Sequence, residues 1–278
     1  AAGGLPKAVE RGIGIGAEAL QIFPSSPRMW RFKHASAEDI GKYKTALTDA
    51  DMGPTVFHGI YLNALAAEDE ALVERSITSL TNYMQLAEAA GVSGVLFHPA
   101  SHKGRGYDAI EAQFVAAVHR ILKDAPGTPW LALENSAGAG DHIGSSFSEL
   151  GRLIKAIDHP RIRVCLDTQH TWAAGYEMTT PEGVTATMDE FDREIGLDLL
   201  TVVHANDSKS DKGSSTDRHE NIGEGHIGLD GFRAILGNQA FANVPMYLEV
   251  PGTEKSGPNQ ENLDALKNIR TELGLKRQ

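Results

Sequence analysis

Short apolar runs recur along the chain, each followed by a longer stretch of helical character. The runs occupy residues 20–23, 55–58, 94–98, 130–134, 164–167, 200–204 and 246–250. They are rich in Val, Ile, Leu and Phe and mostly do not alternate with polar residues. That pattern predicts strands buried on both faces, as in a parallel sheet covered by helices. Ser36-Ala-Glu-Asp39 has the form of a capping box and predicts a helix running to about Asp51. Residues 71–90 are good helix formers, and Gly91 supplies a left-handed stop. Residues 108–123, 146–157, 187–196, 229–236 and 262–273 continue the pattern, and 6–19 predict a helix ahead of the first run.

Strand–helix alternation without a Pro/Gly linker predicts one α/β domain over residues 1–278. A (β/α)8 TIM barrel needs eight strands and about 250 residues, so the expectation is a TIM barrel whose first strand, preceding Ala1, is missing from this chain. An open doubly wound sheet is the alternative. The polar stretch 206–228 is too long for an ordinary strand-to-helix connection, and loops of that length tend to be functional.

Composition narrows the class. At 41% hydrophobic residues the chain is no disordered polymer. It holds no apolar run near the roughly 20 residues of a membrane span, so no membrane contact is expected. Its single cysteine, Cys165, excludes an internal disulfide and suits a reducing compartment. No signal peptide is visible, so a cytoplasmic location is expected, beside the nucleoid if the source is prokaryotic. The chain opens without Met, as a processed, trimmed or incomplete product would. A formal charge of -11 argues at first against nucleic-acid binding.

The 11 histidines redirect the reading. The runs end Val56-Phe-His58, Leu96-Phe-His98, Ala132-Leu-Glu134, Cys165-Leu-Asp167 with His170 three on, Val202-Val-His204 and Tyr247-Leu-Glu249; the long loop adds Asp217-Arg-His219. In a parallel barrel the C-terminal strand ends share one face, so these side chains converge from across the chain. One histidine at a strand end is usually a satisfied polar residue, but so many from separate strands are not independent accidents. Five imidazoles and four carboxylates on one rim would need extensive pairing to offset desolvation, and metal ions remove that need. His with Asp and Glu suits zinc or manganese, and nine ligands imply two or three ions, which points to phosphoester chemistry. His102 and His142 lie in loops beside these positions, where a supporting or substrate contact is open. His119 and His159 read as solvent-facing. Gly223-Glu-Gly-His-Ile-Gly228 matches a dinucleotide fingerprint literally, but it follows no strand, so its glycines read as tight turns or close approach. Cys165 reads as a buried inert thiol.

The blocks Phe57-His-Gly-Ile-Tyr-Leu-Asn63, Phe97-His-Pro-Ala-Ser-His102, Leu133-Glu-Asn-Ser-Ala-Gly138, Cys165-Leu-Asp-Thr-Gln-His-Thr-Trp-Ala-Ala-Gly-Tyr176, His204-Ala-Asn-Asp-Ser-Lys209, Asp217-Arg-His219 with Gly223-Glu-Gly225, and Leu248-Glu249 together resemble endonuclease IV. This is the zinc-dependent apurinic/apyrimidinic endonuclease family of base excision DNA repair. The resemblance runs through the chain in order. It implies a TIM barrel with three zinc ions, part of which manganese could replace. By motif, His58 and His98 would hold one zinc, Asp167, His204 and Glu249 a second, with Glu134 bridging the two and catalytic. His170, Asp217 and His219 would hold the third. The implied partner is double-stranded DNA containing abasic sites, with no obligate protein partner. The implied reaction is hydrolysis of the phosphodiester 5′ to the abasic site, leaving a 3′-hydroxyl and a 5′-deoxyribose phosphate. Arg28, Tyr61 and Leu62 match positions that fill the DNA stack, although Met29 stands where the family commonly has a polar residue. Lys209, with Lys103 and Arg105, is placed to meet backbone phosphates. Three divalent ions would move the formal charge from -11 to about -5 and make the pocket locally positive.

Three other readings compete. A metal-dependent sugar isomerase or epimerase of the xylose-isomerase-like barrel type would use one or two ions and mostly carboxylates. A DNA-damage binding protein without catalysis would have lost ligands, and none is lost. A metal-storage protein leaves Arg28 and Tyr61 unexplained.

Overall fold

The computed structural model describes residues 3–253 and 255–277. Its strands are β1 (Leu20–Ile22), β2 (Thr55–His58), β3 (Gly94–Phe97), β4 (Trp130–Glu134), β5 (Ile162–Asp167), β6 (Leu200–His204), β7 (Asp207–Ser208), β8 (His219–Glu220) and β9 (Met246–Tyr247). The helices are α1 (Leu5–Gly14), α2 (Ala37–Asp49), α3 (Glu70–Ala90), α4 (Tyr107–Asp124), α5 (Phe147–Ile157), α6 (Thr168–Ala173), α7 (Pro181–Glu194), α8 (Gly228–Gly237) and α9 (Gln260–Glu272). Among the described residues seven strands form one sheet in the order β1-β2-β3-β4-β5-β6-β9. The pairs β1–β2, β2–β3, β3–β4 and β6–β9 are parallel. Every position of β2 and β3 is buried, which is why their sequences do not alternate. Among the described residues no helix is long and apolar enough to cross a membrane.

The chain forms two compact units. One runs to Glu134 and takes in Leu153–Val164. Its core joins Val56, Phe57, Val95, Leu96 and Leu131 of the strands to Leu80, Met84, Phe114 and Ile121 of α3 and α4. Gly94 stands opposite Trp130, whose indole fills the space a Cβ would need, so the glycine in β3 is a packing requirement. The other unit comprises Asn135–Arg152 and the chain from Cys165 onward. There Val202, Val203, Val184, Phe191, Phe232 and Ile235 are buried.

The predicted boundaries shift in places, for local reasons. The Ser36 side chain accepts from the Asp39 N–H at 3.1 Å, as the capping pattern predicts, and Gly91 ends α3 at φ 70°. α7 starts at Pro181, ahead of the predicted 187, because Thr180 caps it on the Gly183 N–H at 3.1 Å and Pro occupies the first turn. β9 stops at Tyr247, and the Glu249 N–H goes to the Asn206 side chain instead of a strand. The long loop folds back on itself, with β7 and β8 antiparallel and Ser208 opposite His219.

Candidate metal centre

In the first unit, β2 and β4 end on His58 and Glu134, and His98 follows β3 directly. His58 and Glu134 are fully buried. His58 Nε2 and His98 Nε2 lie 3.5 and 3.6 Å from the same oxygen, Glu134 Oε2. The three form a group able to hold a metal ion.

The second unit supplies two more convergences. His204 Nδ1 lies 3.7 Å from Asp167 Oδ2 and 3.5 Å from Glu249 Oε2. Asp217, in the loop between β7 and β8, reaches both His170 Nε2 and His219 Nε2 at 3.4 Å, through different oxygens. His219 Nε2 is also 3.6 Å from Asp167 Oδ2, and Asp167, His170 and His219 form a second group able to hold a metal. Burial pushes the Asp217 carboxyl up, but the adjoining His170 and His219 imidazoles outweigh it and hold it below the ordinary carboxylate range. His142 faces the same cluster. Burial pushes its pKa down, with Asp217 pulling the other way and His170 adding to the fall.

These separations are long for hydrogen bonds, which fall near 2.7–3.2 Å. They suit shared ligation instead. Two atoms each about 2.0–2.1 Å from one tetrahedral ion stand about 3.4 Å apart. The ring tautomers agree. His58 Nδ1–H donates to the Gly59 carbonyl at 2.7 Å, His170 Nδ1–H to Asn135 O at 2.8 Å and His219 Nδ1–H to Glu249 O at 3.2 Å. A carbonyl can only accept, so each Nδ1 carries the proton and Nε2 is the ring atom turned to the carboxylates, able to ligate a metal when the ring is neutral, the usual arrangement of a metal-binding imidazole. His219 Nε2 is buried and makes no hydrogen bond. The donor set therefore fits a metal centre on the structure's own terms.

The residues proposed for DNA lie at the surface. Arg28 is exposed, Leu62 half-buried and Tyr61 52% exposed. The Tyr61 N–H donates to the Pro27 carbonyl at 2.9 Å, which ties the two segments together. The Tyr61 ring stands 5.8 Å from His58 and 5.9 Å from His98, beside the first set. Lys209 is exposed and pairs with Glu220 at 3.6 Å. Arg105 is engaged elsewhere: its guanidinium donates to the Ala66 carbonyl and lies 3.8 Å from Glu68, so it fastens one loop to another. Sequence reading also passes over a set of buried polar groups, Asn135, Thr168, Gln169, Asn206 and Asp207.

A family model described as "Xylose isomerase-like TIM barrel" matches residues 11–271. "Probable endonuclease 4" of Halothermothrix orenii is 40% identical over 251 residues, 90% of each chain. The protein of the same name from Methanoculleus marisnigri is 38% identical over 256 residues, 91% of each. The crystal structure of endonuclease IV from Thermus thermophilus superposes with a TM-score of 0.85 at 33% identity, covering 97% of this chain and 95% of the other. This chain belongs to the endonuclease IV family. It is a TIM-barrel protein and an enzyme of the nuclease class. A D-tagatose 3-epimerase-like protein also superposes, with a TM-score of 0.71 at 16% identity, and that likeness shows the fold alone.

Proposed function

We propose that this endonuclease IV hydrolyses the phosphodiester 5′ to an abasic site in double-stranded DNA, leaving a 3′-hydroxyl and a 5′-deoxyribose phosphate, with three zinc ions. His58, His98 and Glu134 would hold one ion, Asp167, His204 and Glu249 another, and His170, Asp217 and His219 the third. The reading rests most on the three imidazoles that donate Nδ1–H to main-chain carbonyls and turn Nε2 toward carboxylates. Bound zinc supplies Lewis-acid stabilisation of charge on the phosphate oxygens and makes an attacking water acidic enough to ionise near neutral pH.

The protein's own groups do the rest. The buried Glu134 carboxylate gives His58 and His98 a common anionic partner and fixes where the scissile phosphate is received. Asp217, held ionised beside His170 and His219, keeps the loop end of the site anionic before metal enters. The exposed Tyr61 stands beside the first set, and the exposed Arg28 follows the Pro27 whose carbonyl the Tyr61 main chain holds; there an aromatic face and a cation would meet a distorted duplex. Bending and flipping at an abasic site displaces no stacked base, which favours that lesion. Lys209 supports backbone contact from the loop.

The test is zinc quantitation on the purified protein together with cleavage of a duplex carrying one abasic analogue. A ratio near three and a single incision 5′ to the analogue are expected. Efficient incision by protein free of bound metal overturns the proposal. A ratio near one, with isomerisation of a ketose and no incision, would support the sugar isomerase reading instead.

A further inference from the structure

The block His204-Ala-Asn-Asp-Ser-Lys209 contributes His204 and Lys209 to the reading above, and leaves Asn206 without a role. Asn206 is 0% exposed. Its main chain is clamped on both sides by Thr168: the Asn206 N–H donates to Thr168 Oγ1 at 2.9 Å, and that hydroxyl donates to the Asn206 carbonyl at 2.7 Å. Its side-chain amide then spans two of the residues assigned to zinc. Oδ1 accepts from the Glu249 N–H at 2.8 Å, and Nδ2 donates to Asp167 Oδ2 at 2.7 Å.

The polarity of this amide is forced. A main-chain N–H can only donate, so oxygen faces Glu249 and the NH2 group faces the carboxylate. The other oxygen, Asp167 Oδ1, is taken by the His170 N–H at 2.9 Å. With both oxygens engaged the carboxylate cannot rotate. Oδ2 is the oxygen that lies 3.7 Å from His204 Nδ1 and 3.6 Å from His219 Nε2, and its remaining lone pair is presented to those two rings. The same amide fixes the main chain that carries the Glu249 carboxylate.

We propose that Asn206 is a positioning residue for zinc in the sites assigned to Asp167, His204, Glu249 and His219. It does so by donating to the Asp167 carboxylate while accepting from the Glu249 main chain. The inference rests on the metal reading of those sites. Asn206→Asp keeps size and shape but turns the donor into an acceptor facing a carboxylate. Asn206→Ser removes both contacts without adding charge.

The test uses the full chain and zinc itself. Zinc release to a colorimetric chelator is followed at a temperature where circular dichroism shows each protein fully folded, alongside kcat and KM on the abasic-analogue duplex. Both variants are expected to release part of their zinc roughly tenfold faster or more, with kcat falling and KM near wild type. In the wild-type protein, the Asn206 side-chain NH2 resonance is expected to shift and to gain exchange protection when zinc is added; this measurement needs no variant to fold. Wild-type release kinetics in the folded variants, even with a lowered Tm, would mean Asn206 only holds the fold and would overturn the proposal. So would an NH2 resonance indifferent to zinc. A wild-type chain that takes up no zinc fails the metal reading as a whole, a result distinct from either.

Discussion

Asp207→Asn is expected to destabilise the protein by about 2–4 kcal/mol and to loosen the loop carrying Asp217 and His219. The Asp207 carboxylate is fully buried and collects main-chain N–H groups from the loop's far end. Oδ1 accepts from Ser208 at 2.7 Å, Ile227 at 2.9 Å and Gly228 at 3.3 Å. Oδ2 accepts from Gly223 at 2.9 Å, Gly225 at 3.1 Å and Gly228 at 3.2 Å. An amide must place its NH2 where one oxygen stood, against at least two N–H donors in either rotamer. Hydrogen bonds to a charged group contribute about 1.5–3 kcal/mol each, so losing two removes about 3–6 kcal/mol. Relief from burying a charge returns part of that, which leaves the smaller net figure.

The assay is urea unfolding of metal-stripped protein at neutral pH, joined to amide hydrogen exchange at Gly223, Gly225, Ile227 and Gly228. A change below about 0.5 kcal/mol, with those four amides as protected as before, would refute the reasoning. Gly225→Ala is the companion perturbation. A Cβ there would lie 2.5 Å from Asp207 Oδ1 and also against the Ser208 carbonyl. It should therefore weaken the same clamp with no change of charge. Because Ser208 pairs with His219 across the ribbon, either change should also speed zinc release from the set proposed to include His219.

Three further outcomes are expected. Glu134→Gln should lower incision by more than about 100-fold while leaving circular dichroism unchanged, because His58 and His98 lose their shared carboxylate; near wild-type incision would remove Glu134 from the machinery. Burial pushes the Glu177 carboxyl up, yet Lys212 and Thr179 hold it down at about 2, so it stabilises the fold above its unfolded value of 4.5 and loses that effect as pH falls toward 2. The pair is partly exposed, so Glu177→Gln should reduce unfolding free energy by at most about 1 kcal/mol near pH 7 and by nothing near pH 2; a difference independent of pH would contradict this. Ser36→Ala should remove about 1 kcal/mol through the lost N-cap of α2, read as a lower Tm with the zinc content unchanged.

The converging histidines and carboxylates are legible because of where the chain stops being apolar. Strands buried on both faces admit polar side chains only at their ends, so His58, Glu134, Asp167 and His204 announce themselves by closing apolar runs. Asp217 and His219 lie in a loop whose fold no periodicity describes; the length of the polar stretch 206–228 singles the loop out, and the family resemblance groups the two with His170. Arg105 reads from sequence as a phosphate contact because a loop cation looks available. Its partner, the Ala66 carbonyl, lies 39 residues away, and tertiary contacts of that kind leave no local signal. α7 begins at Pro181, ahead of the predicted 187, because Thr180 caps it and Pro is favoured in a first turn. The roles of Asn206 and Asp207 leave no signal in the sequence, because the direction of a hydrogen bond is set by what faces the side chain.

The three-residue step from Asp167 to His170 shows how sequence spacing and site geometry are one constraint. Asp167 ends β5 and is also the N-cap of α6, its Oδ1 accepting from the His170 N–H. An N-cap side chain bonds the amide two or three residues on, so the residue three on starts its side chain beside the capping carboxylate. A histidine there is delivered to the same end of the helix as the carboxylate, and its Nδ1–H is received by the Asn135 carbonyl. Moving the histidine one position along would rotate it by about 100° around α6 and away from Asp217. The spacing therefore follows from capping, and the cap leaves Oδ2, the oxygen Asn206 holds, turned toward His204 and His219.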